Sequence, residues 1–160
     1  MKKLLIIGAG GHGQVLAEVA VACGYDRVDF LDDRNPCAVG TTDRAEALAG
    51  GYDGVIVSIG NNDLRRTLIQ RLQAVDAPIA TLVHPRAFVA PSATLGEGSI
   101  VLPGAVVNTN ASVGKGCILS IGALVDHDAT IDDFSHVNAG AVVAAGKRAG
   151  GKVAPGAVVG

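Results

Sequence analysis

VGKGCILSIGALVDHDATIDDFSHV, residues 113–137, repeats one pattern every six residues. The pattern runs from Val89 to Arg148: an aliphatic residue opens each hexad, and the residue four positions later is small in nine hexads of ten. The aliphatic positions are Val89, Leu95, Val101, Val107, Val113, Leu119, Val125, Ile131, Val137 and Val143, and the small positions are Ala93, Ser99, Ala105, Ala111, Cys117, Ala123, Ala129, Ser135 and Ala141, with Lys147 in the tenth.

This period predicts a parallel β-helix. An α-helix has no six-residue period, and a plain strand alternates every two residues. A hexad repeat is typical of a coil in which each short strand turns a corner and stacks on the coil before it. We expect the aliphatic side chains to point into the shaft, and the ten hexads to form about three triangular coils.

The chain is predicted to have two domains, because the hexad repeat begins only after about Pro85 in a sequence of 160 residues. These domains are residues 1–84 and residues 85–160. Hydrophobic residues make up 49% of the sequence but aromatic residues only 3%. Val, Ala and Gly therefore supply the apolar content, which suits a narrow shaft without room for rings.

Charge and cysteine content exclude several classes of protein. The formal net charge is −2 and no Lys/Arg cluster is long enough to follow a phosphate backbone, so nucleic acid is not expected as a partner. Cys23, Cys37 and Cys117 lack the spacing of a metal site. The apolar run at the N-terminus is too short for a signal peptide, and no stretch approaches the ~20 apolar residues of a membrane span. The sequence therefore predicts a soluble cytoplasmic protein.

Residues 1–84 read as a small α/β unit, because buried apolar runs alternate with helical patterns. The predicted strands are residues 4–7, 28–31, 55–59 and 79–83, and the predicted helices are residues 14–23, 42–48 and 63–72. This alternation indicates a parallel sheet whose ligand lies at the carboxyl ends of the strands. Three loops follow those ends, at residues 8–13, at Asp32-Asp33 and at residues 60–62.

The first loop, Gly8-Ala9-Gly10-Gly11-His12-Gly13, matches G-x-G-x-x-G. In proteins with this motif, an acidic residue about 20 residues further on binds the ribose hydroxyls, and Asp33 lies at that distance from Gly13. Glycines let a backbone approach a diphosphate, and the N-terminus of the following helix favours its charge. A dinucleotide site needs two such halves, and only one is present here. The pattern therefore favours a nucleoside diphosphate over NAD. An NAD-binding regulator and a plain glycine turn without ligand stay open as alternatives.

Four histidines are candidates for chemistry. His127 lies between Asp126 and Asp128, which is typical of a general base but also of a surface histidine solvated among acids. We expect His136, in the next hexad, to lie near His127 on an adjacent turn. Histidines shared between subunits could also hold zinc, which is a weaker alternative. His12 belongs to the glycine loop, and His84 precedes Pro85 at the junction of the domains.

The separated motifs together resemble the PglD/NeuD-type sugar acetyltransferases over essentially the whole chain. They are the glycine loop 8–13, Asp32-Asp33 after Phe30-Leu31, residues 59–62, residues 125–128 and Phe134-Ser135-His136. The resemblance implies a homotrimer of left-handed parallel β-helices. It also implies that the N-terminal unit binds a UDP-sugar and that acetyl-CoA lies in the groove between two β-helices.

The resemblance further implies a role for each matching residue. The residues expected to bind the nucleotide sugar are Gly10, Gly11, His12, Asp32, Asp33 and Gly60. His127 would be the general base, Asp128 its partner, and His136 a contact to acetyl-CoA. The expected function is acetyl-CoA-dependent acetylation, at nitrogen or oxygen, of a UDP-linked amino sugar, by direct transfer in a ternary complex and without a metal.

The C-terminal residues depart from the family pattern. The period fails at Lys147-Arg148, and residues 149–152 read as irregular. Members of the family continue through several more coils, so we expect a shortened CoA groove here. This departure leaves a second function open, a non-catalytic trimeric protein that binds nucleotide sugars or acts as a scaffold.

Overall fold

The computed structural model describes residues 1–160, which form two compact units, Met1–Ala80 and Thr81–Gly160. The helices are α1 (Gly11–Ala22), α2 (Ala45–Leu48) and α3 (Asn62–Ala74), with 3₁₀ turns at Thr42–Arg44 and Ala49–Gly51. The strands are β1 (Lys3–Ile7), β2 (Arg27–Leu31), β3 (Gly54–Val57), β4 (Leu82–Val83), β5 (Phe88–Val89), β6 (Thr94–Leu95), β7 (Ile100–Val101), β8 (Val106–Val107), β9 (Ser112–Val113), β10 (Ile118–Leu119), β11 (Leu124–Val125), β12 (Thr130–Ile131), β13 (His136–Val137), β14 (Val142–Val143), β15 (Arg148–Ala149), β16 (Lys152–Val153) and β17 (Val158–Val159). None of the helices is long and apolar enough to span a membrane.

The first unit is built on a three-stranded parallel sheet in the order β2-β1-β3. Residues 4–7 of the central strand are fully buried, as a continuous apolar run predicts. The predicted fourth strand at residues 79–83 is wrong. Only Ile79 bridges to β3, whereas Leu82–Val83 belongs to the second unit and pairs with β7. The hexad that opens at Val83 precedes the one at Val89, so the period begins one repeat earlier than the sequence pattern suggested.

The helices of this unit bury faces that differ slightly from those predicted. Helix α1 begins at Gly11, inside the glycine loop, and buries Leu16 and Val19. In α3 the helical spacing predicts an inward face made of Leu64, Leu68, Ile69 and Leu72, and the helix buries the last three of these. Its first turn, however, buries Arg65 and leaves Leu64 48% exposed. The inward position at the start of α3 is therefore occupied by a cation, which donates a hydrogen bond to the loop before the helix.

The second unit is a parallel β-helix with three faces. Its sheets have the strand orders β16-β13-β10-β7-β4, β17-β14-β11-β8-β5 and β15-β12-β9-β6. Ile118 stands beside Ile100, so one coil takes three hexads. The aliphatic and small columns together form the buried shaft, and each fully buried aliphatic side chain contributes on the order of 1.5–3 kcal/mol. The predicted fold class, an α/β unit followed by a left-handed β-helix of hexapeptide repeats, is confirmed.

The stack extends further than the sequence pattern predicted. Ala149 pairs with Ile131 and is only 6% exposed, so the hexad that contains Lys147 and Arg148 is a regular part of the coil. The irregularity comes one corner later. Lys152 pairs with His136 but follows it by only 16 residues, two fewer than the 18 residues of a regular coil. The corner before Lys152 is therefore shorter than the others. The three sheets hold five, five and four strands, which is more than four coils, whereas the sequence predicts about three coils from the ten hexads and one partial turn after them.

Candidate functional site

Three loops at the carboxyl ends of β1, β2 and β3 line one cavity of about 510 Å³. This volume lies within the range of sites for small molecules. The cavity is lined by all six residues predicted to bind a nucleotide sugar: Gly10, Gly11, His12, Asp32, Asp33 and Gly60. The structure therefore brings together residues that lie far apart in the sequence.

The glycines of the first loop divide into two kinds. A Cβ on Gly13 would lie 2.1 Å from the carbonyl oxygen of Gly8, and one on Gly8 would lie 2.8 Å from that of Ser58. These two glycines allow the loop to pack against the sheet. A Cβ on Gly10 or Gly11 would meet nothing within 4 Å. The backbone at these two residues is thus open at the N-terminus of α1, where amide groups without intrahelical acceptors favour an anion.

Asp32 ties the second loop to the first. Its carboxylate accepts hydrogen bonds from the N–H groups of Ala9, Arg34 and Asn35, each at 2.9 Å. These bonds, first of all the one from Ala9, lower the pKa of Asp32. Asp33 in turn accepts 2.9 Å hydrogen bonds from both the N–H and the hydroxyl of Thr42. Both acids therefore organise the rim of the cavity through the backbone.

The buried side chain of Arg65 holds the third loop in place by hydrogen bonds. The side chain of Asn61 caps α3 by accepting from the N–H of Leu64 at 3.0 Å. The buried guanidinium of Arg65 donates to the carbonyl of Ile59 at 2.9 Å and to Oδ1 of Asn62 at 2.8 Å. Sequence reasoning missed Arg65, because an arginine on an amphipathic helix is ordinarily assigned to its solvent face.

His12 is held in its neutral form by the folded structure. Burial, and then the positive charge of Arg65, lower the pKa of His12. Its Nε2 atom is buried and has no hydrogen-bond partner in the chain. His12 is therefore a polar but uncharged part of the cavity at neutral pH.

The cavity includes further residues that sequence reasoning did not assign. They are Arg34, Thr42, Ser58, Ile59, Leu64, Leu68 and Arg71, besides Gly8. Arg34 could have been found, since it directly follows Asp32-Asp33. Arg71 carries no signal in the sequence: it lies in the last turn of α3 and pairs with Glu46 at 2.8 Å. Its charge is thereby partly neutralised.

A second cluster lies at a corner of the β-helix, directly after β11. Nδ1 of His127 is 2.8 Å from Oδ2 of Asp128, and both side chains are more than half exposed. This hydrogen bond is the main cause that raises the pKa of His127. With the carboxylate accepting from Nδ1–H, the proton-accepting atom of the ring is Nε2. Asp128 lies at a corner of the coil and adopts φ +61°, a left-handed conformation that aspartate tolerates better than most residues do. Gly146 occupies the equivalent corner one coil later.

The two acids beside His127 do different things. Oδ1 of Asp126 accepts from the backbone N–H of His127 at 2.7 Å, and the amide of Asn108 donates to the same oxygen at 3.1 Å. Asp126 therefore holds the backbone of the corner and links it to the preceding coil, whereas Asp128 orients the ring. The spacing alone placed both acids beside the histidine, and the family resemblance implied Asp128 as its partner, but neither gave a role for Asp126.

His136 lies on a different face from His127. It opens β13, and its Nε2 is 2.9 Å from the hydroxyl oxygen of Ser120. His127 follows β11, which belongs to another sheet. The expectation that the two histidines are neighbours on adjacent turns is wrong. Consecutive hexads form consecutive faces of the same coil, and a full coil takes three of them.

The face that carries β11 presents an apolar column to solvent. Its outward residues are Phe88, Val106, Leu124, Val142 and Val158, one from each strand of the sheet. A groove of about 250 Å³ on this face is bounded by Val106, Leu124 and Val142, with Asn108 and Asp126 at its polar edge. No group of three or more His, Cys, Asp or Glu residues in the chain could hold a metal ion.

Comparison with known families and proteins gives matches to both units. Residues 3–72 match the PglD N-terminal domain. The chain is 31% identical, over 64% of its length, to the UDP-N-acetylbacillosamine N-acetyltransferase of Bacillus subtilis. It spans about half, 52%, of that curated relative.

Solved structures match nearly the whole chain. The acetyltransferase domain of PglB from Neisseria gonorrhoeae is 38% identical with a TM-score of 0.94, and the match covers 99% of this chain and 82% of that one. The same domain has been solved in complex with acetyl coenzyme A. PerB from Caulobacter crescentus, solved with CoA and GDP-perosamine, is 30% identical with a TM-score of 0.76, covering 99% and 83%.

Proposed function

The chain belongs to the PglD/NeuD-type family of sugar acetyltransferases, and on that premise we propose that it transfers the acetyl group of acetyl-CoA to the amino group of a UDP-linked sugar. The observation that carries this proposal is the hydrogen-bonded pair of His127 and Asp128 on the β-helix. A histidine whose Nδ1 is held by a carboxylate has the orientation and the basicity that a general base needs near neutral pH.

The proposed reaction uses both substrates in one ternary complex. The amino nitrogen attacks the thioester carbonyl of acetyl-CoA, and Nε2 of His127 takes the proton that this nitrogen loses. The C–N bond forms and the C–S bond breaks. CoA leaves as a thiolate, which receives the proton from the imidazolium and becomes the free thiol. No covalent enzyme intermediate is required, because holding the two substrates together lowers the barrier.

The first unit is the proposed binding site for the nucleotide sugar. The open backbone at Gly10 and Gly11 suits the diphosphate, and His12, Asp32, Asp33 and Gly60 complete the site. Support for uridine comes from the Bacillus subtilis relative, a UDP-N-acetylbacillosamine N-acetyltransferase. PerB was solved with a GDP-sugar, so both nucleotides belong in the test.

A homotrimer is the proposed assembly, with acetyl-CoA between neighbouring β-helices and His136 as one of its contacts. Support comes from the apolar column on the face of β11, since an exposed apolar surface of this kind marks an interaction site. The column lies beside the corner that carries His127 and Asp128. Packing of another subunit against this face would therefore bring it next to the proposed base.

The test is acetyl transfer from acetyl-CoA to UDP-linked and GDP-linked amino sugars, measured as release of CoA thiol. His127→Ala should lower kcat by about 10²–10⁴-fold, the usual contribution of a general base. Thr109→Ala is the matched control, because Thr109 occupies the corresponding exposed corner one coil earlier. A His127→Ala protein that is as fast as wild type would remove His127 from the mechanism.

A second candidate is a trimeric protein that binds nucleotide sugars without catalysis. The observation that favours it is the shortened corner before Lys152, next to His136. Calorimetry with UDP-sugar and CoA separates the two proposals. Binding of UDP-sugar without CoA would favour this second candidate, and CoA binding would contradict it.

A further inference from the structure

Arg65 is a fully buried cation in the first turn of α3. Its guanidinium donates to the carbonyl of Ile59 at 2.9 Å, to that of Gly60 at 3.5 Å and to Oδ1 of Asn62 at 2.8 Å. Two of these acceptors belong to the loop that joins β3 to α3, the third is the first residue of α3, and Gly60 lines the cavity. The planar fork of an arginine suits such a cluster of acceptors better than a lysine does.

A buried charge is a costly way to fill this position. The neighbouring inward residues of α3 are Leu68, Ile69 and Leu72, and an apolar side chain beside them would avoid the desolvation of a guanidinium. The helix already has its own cap, because Asn61 accepts from the N–H of Leu64. Stability of α3 alone therefore does not account for an arginine here.

Arg65 also acts on the first loop of the cavity. Its charge is the one electrostatic cause, after burial, that lowers the pKa of His12. Arg65 itself does not line the cavity, whose charged lining residues are Asp32, Asp33, Arg34 and Arg71. Arg65 thus acts on both loops: it donates hydrogen bonds to the third loop, and its charge affects His12 in the first.

We propose that Arg65 is a positioning residue of the nucleotide-sugar site, which holds residues 59–62 at the edge of the cavity and places a fixed positive charge beside His12. This inference rests on the proposed binding of a nucleotide sugar. Arg65 touches no ligand in this scheme. It keeps the third loop in place and adds to the effect of burial, which keeps His12 an uncharged hydrogen-bonding group, so that binding of a nucleoside diphosphate does not vary with the protonation of His12 near neutral pH.

Two substitutions in the full chain separate the two parts of this role. Arg65→Lys keeps the charge but loses the fork, and Arg65→Gln loses the charge but keeps a donor. Arg66→Gln on the exposed side of the same helix is the control. UDP binding is measured by calorimetry with CoA as a second ligand, and the pKa of His12 is measured by NMR, with the resonance assigned from His12→Gln.

Both Arg65 variants should bind UDP about tenfold more weakly, the scale of one charge-assisted hydrogen bond. CoA binding and the control should stay within about twofold of wild type. In Arg65→Gln the pKa of His12 should rise toward its ordinary value, because a nearby positive charge disfavours the imidazolium. UDP binding should then become tighter as the pH falls. In Arg65→Lys the pKa of His12 should stay lowered.

The inference is overturned if Arg65→Gln leaves either the pKa of His12 or the affinity for UDP unchanged. A purely structural role would lower the melting temperature and the affinity without moving that pKa. If Arg65→Gln does not fold, Asn62→Ala removes one acceptor from a partly exposed residue and must weaken UDP binding. Failure of wild type to bind any nucleoside diphosphate would instead refute the proposed function, while the pKa of His12 still reports on Arg65 without ligand.

Discussion

Replacing Asp32 by asparagine tests whether the loops of the first unit must be tied together before they can bind ligand. In the structure Oδ1 of Asp32 accepts from the N–H groups of Arg34 and Asn35, and Oδ2 accepts from that of Ala9. An asparagine keeps one oxygen for the first two donors. It turns the second acceptor into an NH₂ group that faces the N–H of Ala9, so the bond between the two loops is lost.

The size of the effect follows from that single bond. A hydrogen bond to a charged group contributes about 1.5–3 kcal/mol. Asp32 is only partly buried, so water can replace it at the N–H of Ala9, and we take the low end of about 1.5 kcal/mol. If the glycine loop must be ordered to bind a diphosphate, this loss corresponds to an affinity about tenfold weaker.

The assay is calorimetric titration of UDP into wild type, Asp32→Asn and Asp53→Asn. Asp53 is the matched control, because it accepts from the backbone N–H of Lys3 at 2.7 Å, at the opposite end of the same sheet. Its replacement removes a carboxylate charge from the same sheet but keeps one oxygen for the N–H of Lys3, and it should leave UDP binding within about twofold of wild type. Equal UDP affinity in Asp32→Asn and wild type would refute the reasoning that this bond organises the site.

Three further predictions concern the β-helix. Asp128→Asn removes the main cause of the raised His127 pKa, so the acid limb of the pH profile of kcat/KM should move to lower pH, and an unmoved limb would argue against the pair. Gly114→Ala would place a Cβ 2.6 Å from the backbone of the next coil and should cost about 3 kcal/mol in denaturant unfolding. Gly140→Ala meets open space at φ +66° and should cost only about 1 kcal/mol, so equal losses would contradict the packing argument. Leu124→Glu places a charge in the exposed apolar column and should yield monomers by light scattering, whereas an intact trimer would exclude this face as the interface.

The β-helix could be predicted because its period is a local property of the chain. Each hexad places one aliphatic and one small residue in the shaft whatever the rest of the molecule does, and the same spacing continues to Ala149. The shortened corner before Lys152 could not be placed, because a local deletion shows only in the pairing with the coil below. The placement of His127 and His136 on adjacent turns was wrongly expected for the same reason, since residues stacked along the axis are three hexads apart.

The candidate sites divide in the same way. The glycine loop and the His127–Asp128 pair could be identified from sequence, because their members are adjacent along the chain. The bonds that organise them join distant residues: Asp32 to Ala9, Asn108 to Asp126, and the charge of Arg65 to His12. At α3 the helical pattern predicted Leu64 inside, but the fold buries Arg65 there.

The sequence by itself determined the order of the two units, the repeating coil and the residue types available for chemistry. Only the tertiary structure decided that Asp126 holds the backbone at His127 and that the buried Arg65 holds the loop at the edge of the first cavity. The physical reason is range. Periodicity and motifs record what neighbouring residues do together, whereas burial, pKa and hydrogen bonding depend on groups that come into contact only when the chain has folded.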